Sequence, residues 1–452
     1  MMLAASIAVF AQLPPQPVCL TIMQAVDAAL RNYPSVRVSQ ERISAAGAEI
    51  QLARTTYLPR VDMLAQANRA TRNNISGLLF PQGIIPSMSG PVLSTDNLGA
   101  AWGSAVGTLV TWEPFDFGLR TASVAATTAA RSRSEATLKR TQLDVAVAAA
   151  DAYVTLIAAQ DMVRAAQAGV DRADALFRTI SALVNAKLRP GADSSRAEAE
   201  LAAARTQVIQ TQQAVEIARA NLSQFVGLEP AQITVSAPRL LQLPPEQAVL
   251  AFNTATNPVS MEQNAVVEQV RAQLRILKRS YFPRFLLQGA AYSRGTGAEA
   301  NGTNLGGFHG LAPSTQNYAL GFTVTFPVFD RPAIRAREAE QSATIRAETA
   351  RYQQISSDLK TRWNVAVATM EGARNVAVNT PIQVAAARAA TNQTTARYQS
   401  GLGNIDAVAE AHRLLTQAEI DDALARLNCW RGLLGIAAAA GDIQPFLAEA
   451  SK

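Results

Sequence analysis

Aromatic residues, cysteine and histidine are scarce in this chain. Only 6% of the residues are aromatic, and alanine supplies much of the 48% hydrophobic content. Such a composition fills thin helical layers rather than a deep globular core. No stretch approaches 18 uncharged apolar residues, so we expect no transmembrane helix. A β-barrel would leave no such run, and a membrane location therefore stays open.

The charge distribution and the small number of cysteines and histidines argue against several further classes of protein. Cys19 and Cys429 are too few for a disulfide framework, and the residues before Cys19 do not favour a lipid anchor. The net charge of +6 is spread without a basic run, which favours solvated helix faces over nucleic-acid binding. His309 and His412 do not have the spacing of metal ligands, and the sequence contains neither a nucleophile elbow nor a phosphate-binding loop. We therefore expect no enzyme, no metal and no cofactor.

Residues 1–19 are interpreted as the remnant of an export signal followed by a leader. Leu3 to Ala11 is a short apolar run, and it ends in Val9-Phe10-Ala11 with small residues where signal peptidase prefers them. Signal peptides usually begin with a positively charged segment, and none precedes this run. We therefore interpret the start as truncated. This feature predicts export from the cytoplasm.

A heptad pattern organises the chain between Leu119 and Phe225. Apolar residues recur every seven positions, with a second seam residue three places after most of them. The seam is Leu156, Val163, Val170, Phe177 and Val184 with Ala159, Ala166, Ala173 and Ile180, then Leu201, Val208, Val215 and Leu222 after a break at Pro190-Gly191. The pattern predicts an antiparallel coiled-coil hairpin over 119–226. A cytosolic helical bundle would fit these residues alone equally well.

The order of elements repeats after about 215 residues. A helix ends in Tyr57-Leu-Pro-Arg60 in the first copy and in Tyr281-Phe-Pro-Arg284 in the second. Further on, each copy has a Pro-Phe-Asp or Pro-Val-Phe-Asp sequence that opens a very long helix. We interpret the chain as two structural repeats, 20–228 and 229–441, with a second hairpin at 333–440 and a tail at 442–452.

Period-two alternation follows each Pro-Arg pair and predicts four strands, at about 60–70, 100–112, 284–294 and 317–328. Long polar loops, 73–98 and 295–316, separate the strands of each pair. Trp102 and Trp112 share one strand face, and their ten-residue separation spans roughly 25 Å of membrane normal in a tilted strand. Tyr318 and Phe326 bound the last strand in the same way. An ordinary β-sandwich would also use such strands, but long loops at one end and helices at the other favour a barrel.

Four strands cannot close a barrel, because about eight is the practical minimum. An open sheet edge in lipid would leave backbone groups without hydrogen bonds. We therefore expect the chain to oligomerise. The first long helix, from Leu119 to Lys187, has 69 residues and would be about 100 Å long. The fold class is thus mainly α, with tandem-duplicated long coiled-coil hairpins and a membrane β-barrel.

At this point the sequence resembles the TolC family of outer-membrane efflux channels from Leu20 to Gly441. The resemblance rests on the duplicated order of elements and on both hairpin tips. The second tip reads Tyr398-Gln-Ser-Gly401-Leu-Gly403-Asn-Ile-Asp406, followed by Glu410. The first tip has Lys187 where the family usually has glycine, then Pro190, Gly191 and Asp193.

The resemblance implies a homotrimer, in which each chain contributes four strands to a 12-stranded β-barrel. This barrel would lie in the outer membrane of a Gram-negative-type cell, and the helices would form an α-helical barrel in the periplasm. Outer-membrane lipid, a periplasmic adaptor protein and an inner-membrane pump would be the partners of this passive duct. Asp406 and Glu410 would be the candidates for acidic rings at a pore constriction, because residues four apart share a helix face. Two solvated helix carboxylates are the alternative. Asp406 lies one place early relative to the family's first carboxylate, and Ala407 occupies that place.

The remaining tip residues are assigned to docking and capping. Adaptor docking would use the tips around Leu188, Gly191, Asp193, Gly401 and Gly403, where small residues let another helical hairpin approach. Asp193 is expected to cap a helix rather than line the pore.

Two other functions remain as alternatives. The outer-membrane duct of type I protein secretion would have the same fold, because the pump and not the duct selects the cargo. A soluble coiled-coil scaffold is the more distant alternative, and it would not need the aromatic strand alternation.

Overall fold

The computed structural model describes residues 18–71, 100–245, 252–297, 299 and 303–452, which form α-helices, a four-stranded antiparallel sheet and a two-stranded parallel sheet. The α-helices are α1 (Ile22–Asn32), α2 (Pro34–Thr55), α3 (Leu119–Asn185), α4 (Gly191–Val226), α5 (Pro258–Arg279), α6 (Arg331–Gln399), α7 (Ile405–Ala440) and α8 (Gln444–Ala450). The strands are β1 (Val18–Leu20), β2 (Arg60–Thr71), β3 (Ala100–Phe115), β4 (Ile233–Val235), β5 (Arg284–Thr296) and β6 (Thr315–Thr325). The predicted fold class, two long helical hairpins with four sheet-forming strands, is confirmed.

Two short strands were not predicted. β1 and β4 have three residues each and pair in parallel, with Val18 opposite Ile233 and Leu20 opposite Val235. Three residues are too short to show an alternation of period two, so the sequence pattern could not indicate them. They hold the segment before α1 against the segment after α4.

Several sequence predictions fall outside the described residues. These are the export signal up to residue 17, the loop at 73–98 and most of the short helix expected between Pro245 and Thr254. Within the described part of that last segment, Thr254–Thr256 forms a 3-10 turn.

The chain divides into two units. One contains Met1–Ser44, Ser132–Val266 and Glu348–Lys452, and the other contains Ala45–Arg131 and Val267–Ala347. Each unit draws on both halves of the sequence, so the units do not coincide with the repeats 20–228 and 229–441. The division into those repeats stays a proposal about how the chain arose.

The main core of the first unit surrounds Trp430, which is fully buried. Its indole Nε1 donates to the Gln242 carbonyl at 2.9 Å, and Phe446 packs edge-on at 6.2 Å between ring centroids. Tyr153 is buried beside them and donates its hydroxyl to the Leu20 carbonyl at 2.9 Å. Trp430 and Tyr153 thus each find a hydrogen-bond partner for their polar atom inside the core.

Burial follows the heptad seam of α3 and α4. Leu156, Ile180 and Leu222 are fully buried, whereas Ile209 and Ile217, which lie off the seam, expose 65% and 54% of their surface. Isoleucine on the outer face shows that position within the heptad, and not residue type, decides which side chains are buried.

Among the described helices, only α3 contains an 18-residue window that is apolar enough to cross a membrane by length and composition. Of that window, 61% is buried inside the protein. A core helix passes the same test, and this burial favours that interpretation.

Candidate membrane face and hairpin tips

The sheet of the second unit has the strand order β2-β3-β5-β6, and every neighbouring pair is antiparallel. Among the residues that the structure describes, each of the two outer strands, β2 and β6, therefore has one neighbour in this sheet and one open edge. Cross-strand partners lie on the same side of a sheet, so the register separates the side chains into two faces.

One face is apolar and exposed; we call it the apolar face. The register aligns Val61, Val110, Gly289 and Leu320 across all four strands on this face. Its members include Met63, Tyr318 and Leu320, which expose 85%, 84% and 82% of their surface. Large apolar side chains with this exposure mark a surface that contacts lipid or another protein.

The opposite face is polar. Arg284 lies on it and forms an ion pair with Glu113 at 2.8 Å. Gln288 opposite Gly321 and Leu286 opposite Thr323 continue this face. Polar and small residues on one side and apolar residues on the other are typical of a barrel strand between lipid and an aqueous lumen.

Of the predicted rim aromatics, Trp102 and Trp112 lie near the two ends of β3, whereas Tyr318 lies opposite Ala291, in a middle row of the sheet. Trp102 is opposite Arg69, whose guanidinium lies 5.6 Å from the indole ring. Ten residues on, Trp112 donates its Nε1 to the Tyr57 carbonyl at 3.1 Å. Tyr318 and Phe326 are both exposed.

In the first unit, the two hairpin tips have the same turn. Lys187 and Gly401 both adopt the left-handed conformation, with φ of 61° and 80°. After each, the next amide reaches back five residues: Leu188 N to the Leu183 carbonyl at 2.9 Å, and Leu402 N to the Arg397 carbonyl at 2.8 Å. This is a Schellman-type helix end, which explains why glycine is the usual residue at the position of Lys187.

Tyr398 joins the two tips. Its side chain is almost fully buried in an apolar cluster with Ile180, Ala197 and Val408. The Arg189 guanidinium lies 4.5 Å from the Tyr398 ring centroid and donates to the Tyr398 carbonyl at 2.6 Å. Arg189 belongs to the first tip and Tyr398 to the second, so this contact binds one tip to the other.

Asp193 does not cap a helix, and that expectation is wrong. The residue that precedes α4 is Pro190, which makes no side-chain capping bond. Asp193 lies inside the first turn instead and accepts a 2.7 Å hydrogen bond from the Tyr398 hydroxyl. Burial, together with this bond to a carboxylate, raises the pKa of Tyr398 to about 12.

The candidate constriction carboxylates belong to a row of alternating charges between α4 and α7, which we call the tip charge row. Asp406 lies 3.5 Å from Arg196, which also lies 3.4 Å from Glu200. Arg413 lies 3.6 Å from Glu200 and 2.8 Å from Glu410. Three carboxylates and two guanidiniums leave one net negative charge in each chain.

The cross-helix contacts of Arg196 and Arg413 were not predicted. The spacings Arg196/Glu200 and Glu410/Arg413 are visible as i, i+4 and i, i+3 pairs within one helix. What the sequence did not indicate is that both arginines also reach a carboxylate on the other helix.

The residues predicted for docking lie at the ends of the hairpins and differ in exposure. Leu188 exposes 69% of its surface, and the equivalent Leu402, which was not predicted, exposes 72%. A side chain added at Gly191 would meet nothing within 4 Å. At Gly403 it would come within 3.3 Å of the Tyr398 amide nitrogen, so this glycine serves its own turn.

One family model matches most of the chain. The sequence model described as "Outer membrane efflux protein" matches residues 25–228 and 255–442. Protein CyaE of Bordetella pertussis is 26% identical over 223 residues, which are 48% of this chain and 42% of CyaE. The match thus spans less than half the length of that relative.

Solved structures of outer-membrane channels share the fold. The channel OprN is 23% identical with a TM-score of 0.73, and the match covers 97% of this chain and 96% of OprN. CmeC of Campylobacter jejuni is 14% identical with a TM-score of 0.74, covering 100% and 97%. The open state of MtrE of Neisseria gonorrhoeae is 19% identical with a TM-score of 0.73, covering 93% and 89%.

Proposed function

Since this chain belongs to the outer membrane efflux protein family, we propose that it is the outer-membrane channel of a tripartite efflux system. Three copies form a passive duct that crosses the outer membrane and extends into the periplasm. A periplasmic adaptor and an inner-membrane pump deliver the substrates and supply the energy. The proposal contains no catalytic step.

The observation that carries this proposal is the sheet with one apolar face and two open edges. In lipid, backbone groups at an open edge would have no water to bind, and each unsatisfied group would cost several kcal/mol. Pairing β6 of one copy with β2 of the next satisfies these groups. Three copies then supply twelve strands, above the practical minimum of about eight for a barrel.

The two faces fit this closure. The apolar face would contact acyl chains, and Trp102 and Trp112 would lie at the two headgroup levels. The polar face, with Arg284 and Glu113, would line an aqueous lumen. A trimer would also contain three copies of each hairpin tip.

The tip charge row would form the constriction. One net negative charge per chain gives a trimer with three, and this ring would favour cations over anions. Asp406 and Glu410 remain the candidates for the ring, with Arg196 and Arg413 reducing its charge. The exposed Leu188 and Leu402 and the open position at Gly191 would receive the adaptor.

The test uses the full chain, extracted from membranes and purified in detergent. We expect the mass of a trimer, and small discrete cation-selective openings in a planar bilayer. Multivalent cations such as cobalt hexammine, added on the tip side, should block these openings. A water-soluble monomer or dimer without conductance would contradict the proposal. A conducting trimer that ignores the multivalent ion would retain the duct and remove Asp406 and Glu410 from the constriction.

A further inference from the structure

An aromatic cluster ends the apolar face on the side of the sheet where α5 leads into β5. Phe115 and Phe285 are opposite each other on the central strands β3 and β5. Phe117 lies 4.6 Å from Phe115 and 6.0 Å from Phe285 between ring centroids, and it stacks on Phe282 at 5.0 Å. Phe115 and Phe282 expose 54% and 39% of their surface. The cluster therefore continues the apolar face to its border.

Two cations lie at this border. Lys278 and Arg279 are the last residues of α5 and are both exposed. The Arg279 guanidinium lies 5.9 Å from the Phe282 ring centroid, and its Nη1 is 3.5 Å from the Phe117 carbonyl oxygen. A distance of 3.5 Å makes a weak hydrogen bond at best, so most of the guanidinium donors face outward.

Two arginines near this border, Arg120 and Arg284, have carboxylate partners. Arg120 is bound by Asp116 at 2.9 Å, and Arg284 is bound by Glu113 at 2.8 Å. In the part of the chain that the structure describes, no carboxylate lies within ion-pair distance of Lys278 or Arg279. Their positive charges are therefore available to an external anion.

We propose that Lys278 and Arg279, beside the Phe117–Phe282 stack, bind the phosphate of an anionic phospholipid headgroup. This inference rests on the proposed function, because it takes the apolar face to be the lipid-contacting face. The acyl chains of the same lipid lie along Phe115 and the apolar face beyond it. The aromatic rings occupy the level between chains and headgroups, where amphipathic and aromatic side chains collect in membrane proteins.

The chemistry fits a phosphate. The guanidinium of Arg279 and the ammonium of Lys278 are groups that bind phosphate oxygens strongly, because they form charge-assisted hydrogen bonds. A basic residue near an anionic membrane surface contributes about 1 kcal/mol of binding. The aromatic ring under Arg279 holds the guanidinium without neutralising its charge.

Pairing of the sheet edges in a trimer would leave the aromatic cluster open. Phe115 and Phe285 belong to β3 and β5, the two central strands of the sheet. Neighbouring copies would join at β2 and β6, the edges. A lipid at the cluster would therefore contact one chain, and a trimer would bind three.

The experiment measures lipid binding to the purified trimer by native mass spectrometry. Phosphatidylglycerol and phosphatidylcholine with the same acyl chains are titrated separately, and inorganic phosphate is added as a competitor in a further series. Arg279→Gln and the double variant Lys278→Gln/Arg279→Gln are compared with Arg271→Gln. Arg271 lies two turns earlier on the same helix, about 12 Å away, and pairs with Glu268.

We expect the wild type to bind phosphatidylglycerol more tightly than phosphatidylcholine, with up to three preferred lipids per trimer. Arg279→Gln should weaken phosphatidylglycerol binding about fivefold and the double variant about 30-fold, while Arg271→Gln leaves it unchanged. Equal binding of both lipids by the wild type, or a preference that survives in the double variant, would overturn the inference. Full competition by inorganic phosphate at equal concentration would overturn the lipid as ligand. A protein that is no trimer in detergent would instead refute the proposed function, since the mass is measured in the same spectra.

Discussion

The hydroxyl oxygen of Tyr398, at the end of α6, lies 2.7 Å from Oδ2 of Asp193, in the first turn of α4. The donor is buried and the acceptor is a carboxylate, so the bond is of the stronger kind. Together with the bond from Arg189 to the Tyr398 carbonyl, it connects the two hairpins of the chain at their tips.

Tyr398→Phe removes this bond and keeps the ring in its apolar cluster. We expect the free energy of unfolding to fall by about 1–3 kcal/mol, because the carboxylate loses a charge-assisted donor. Urea unfolding in detergent measures the change. The matched control is Tyr33→Phe, whose hydroxyl makes only a long, exposed 3.4 Å contact to Gln224. An equal loss in both variants would show that the Asp193 bond contributes nothing specific.

Alkaline pH should break the same bond in the wild type. Burial and Asp193 raise the pKa of Tyr398 to about 12 in the folded protein, above its ordinary value near 10. The contribution of the neutral phenol is therefore complete below pH 10 and is lost as the pH rises from about 10 to 12. We expect the stability difference between wild type and Tyr398→Phe to shrink across this window.

Opposite changes in the tip charge row should shift cation block in opposite directions. Asp406→Asn with Glu410→Gln leaves the arginines in excess, and we expect block by cobalt hexammine to weaken about tenfold or more. Arg196→Gln with Arg413→Gln removes the compensating charges and should tighten block. Single-channel recording at one fixed salt concentration gives both values, since salt screens such charges. Shifts of the same sign in both variants would place these residues away from the constriction.

Gly191→Leu tests adaptor docking without disturbing the fold. An added side chain at Gly191, the first residue of α4, meets nothing within 4 Å, so leucine fits there without displacing a neighbour. We expect a trimer of unchanged stability whose export rate falls about tenfold, the equivalent of 1.4 kcal/mol of lost docking energy. The control is Ala202→Leu, an exposed position eleven residues further along α4. Export that is unaffected by Gly191→Leu would remove this tip from the docking surface.

Two glycines of α7 should respond differently to alanine. A Cβ at Gly432 would lie 2.9 Å from Met370 Cα, so Gly432→Ala should cost about 1–3 kcal/mol through overpacking of α6 against α7. The nearest atom to a Cβ at Gly435 is Ala366 Cβ at 3.8 Å, so Gly435→Ala should gain about 0.5–1 kcal/mol from helix propensity. The difference in thermal midpoint between the two variants measures this contrast. Equal midpoints would mean that α6 can move away from α7 without cost.

The contribution of Glu449, in the C-terminal helix α8, to stability should be lost at acid pH. Glu449 is buried, and hydrogen bonds from Lys452 and Arg239 lower the pKa of its carboxyl group. A lowered pKa stabilises the fold above the ordinary value near 4.5, and this contribution is lost as the pH falls through the lowered pKa. Glu449→Gln should cost about 1–3 kcal/mol at neutral pH, because Lys452 and the partly exposed Arg239 lose a charged hydrogen-bond acceptor, and it should flatten the acid dependence. Unfolding of both proteins at neutral pH and at pH 3–5 gives the comparison.

The heptad seam shows how much of the fold could be predicted. Leu156, Leu201 and Leu222 repeat with the helix, and burial follows this repeat because every seventh residue faces the same neighbour. The alternation of Tyr318, Leu320 and Phe322 predicted one sheet face for the same geometrical reason. β1 and β4 escaped prediction, because three residues cannot express a period.

The sites were less predictable. Asp193 was expected as a helix cap because of its type and position, whereas its actual partner, Tyr398, is 205 residues away. Asp406 and Glu410 could be selected as a carboxylate pair, but their arginine neighbours across helices could not. Such contacts depend on how one helix is rotated relative to another. The heptad repeat of a single helix indicates which face is buried, but not which side chains of the neighbouring helix it meets.

The sequence by itself determined the long hairpins, the four sheet strands and the family, because periodicity, proline and glycine positions and the duplicated order act through local geometry. Only the tertiary structure decided which strands lie at the sheet edges, which carboxylates have arginine partners and which cations at the border of the apolar face have no carboxylate partner among the described residues. These properties depend on distances between residues far apart in the chain, and those distances are set by the packing of whole helices and strands.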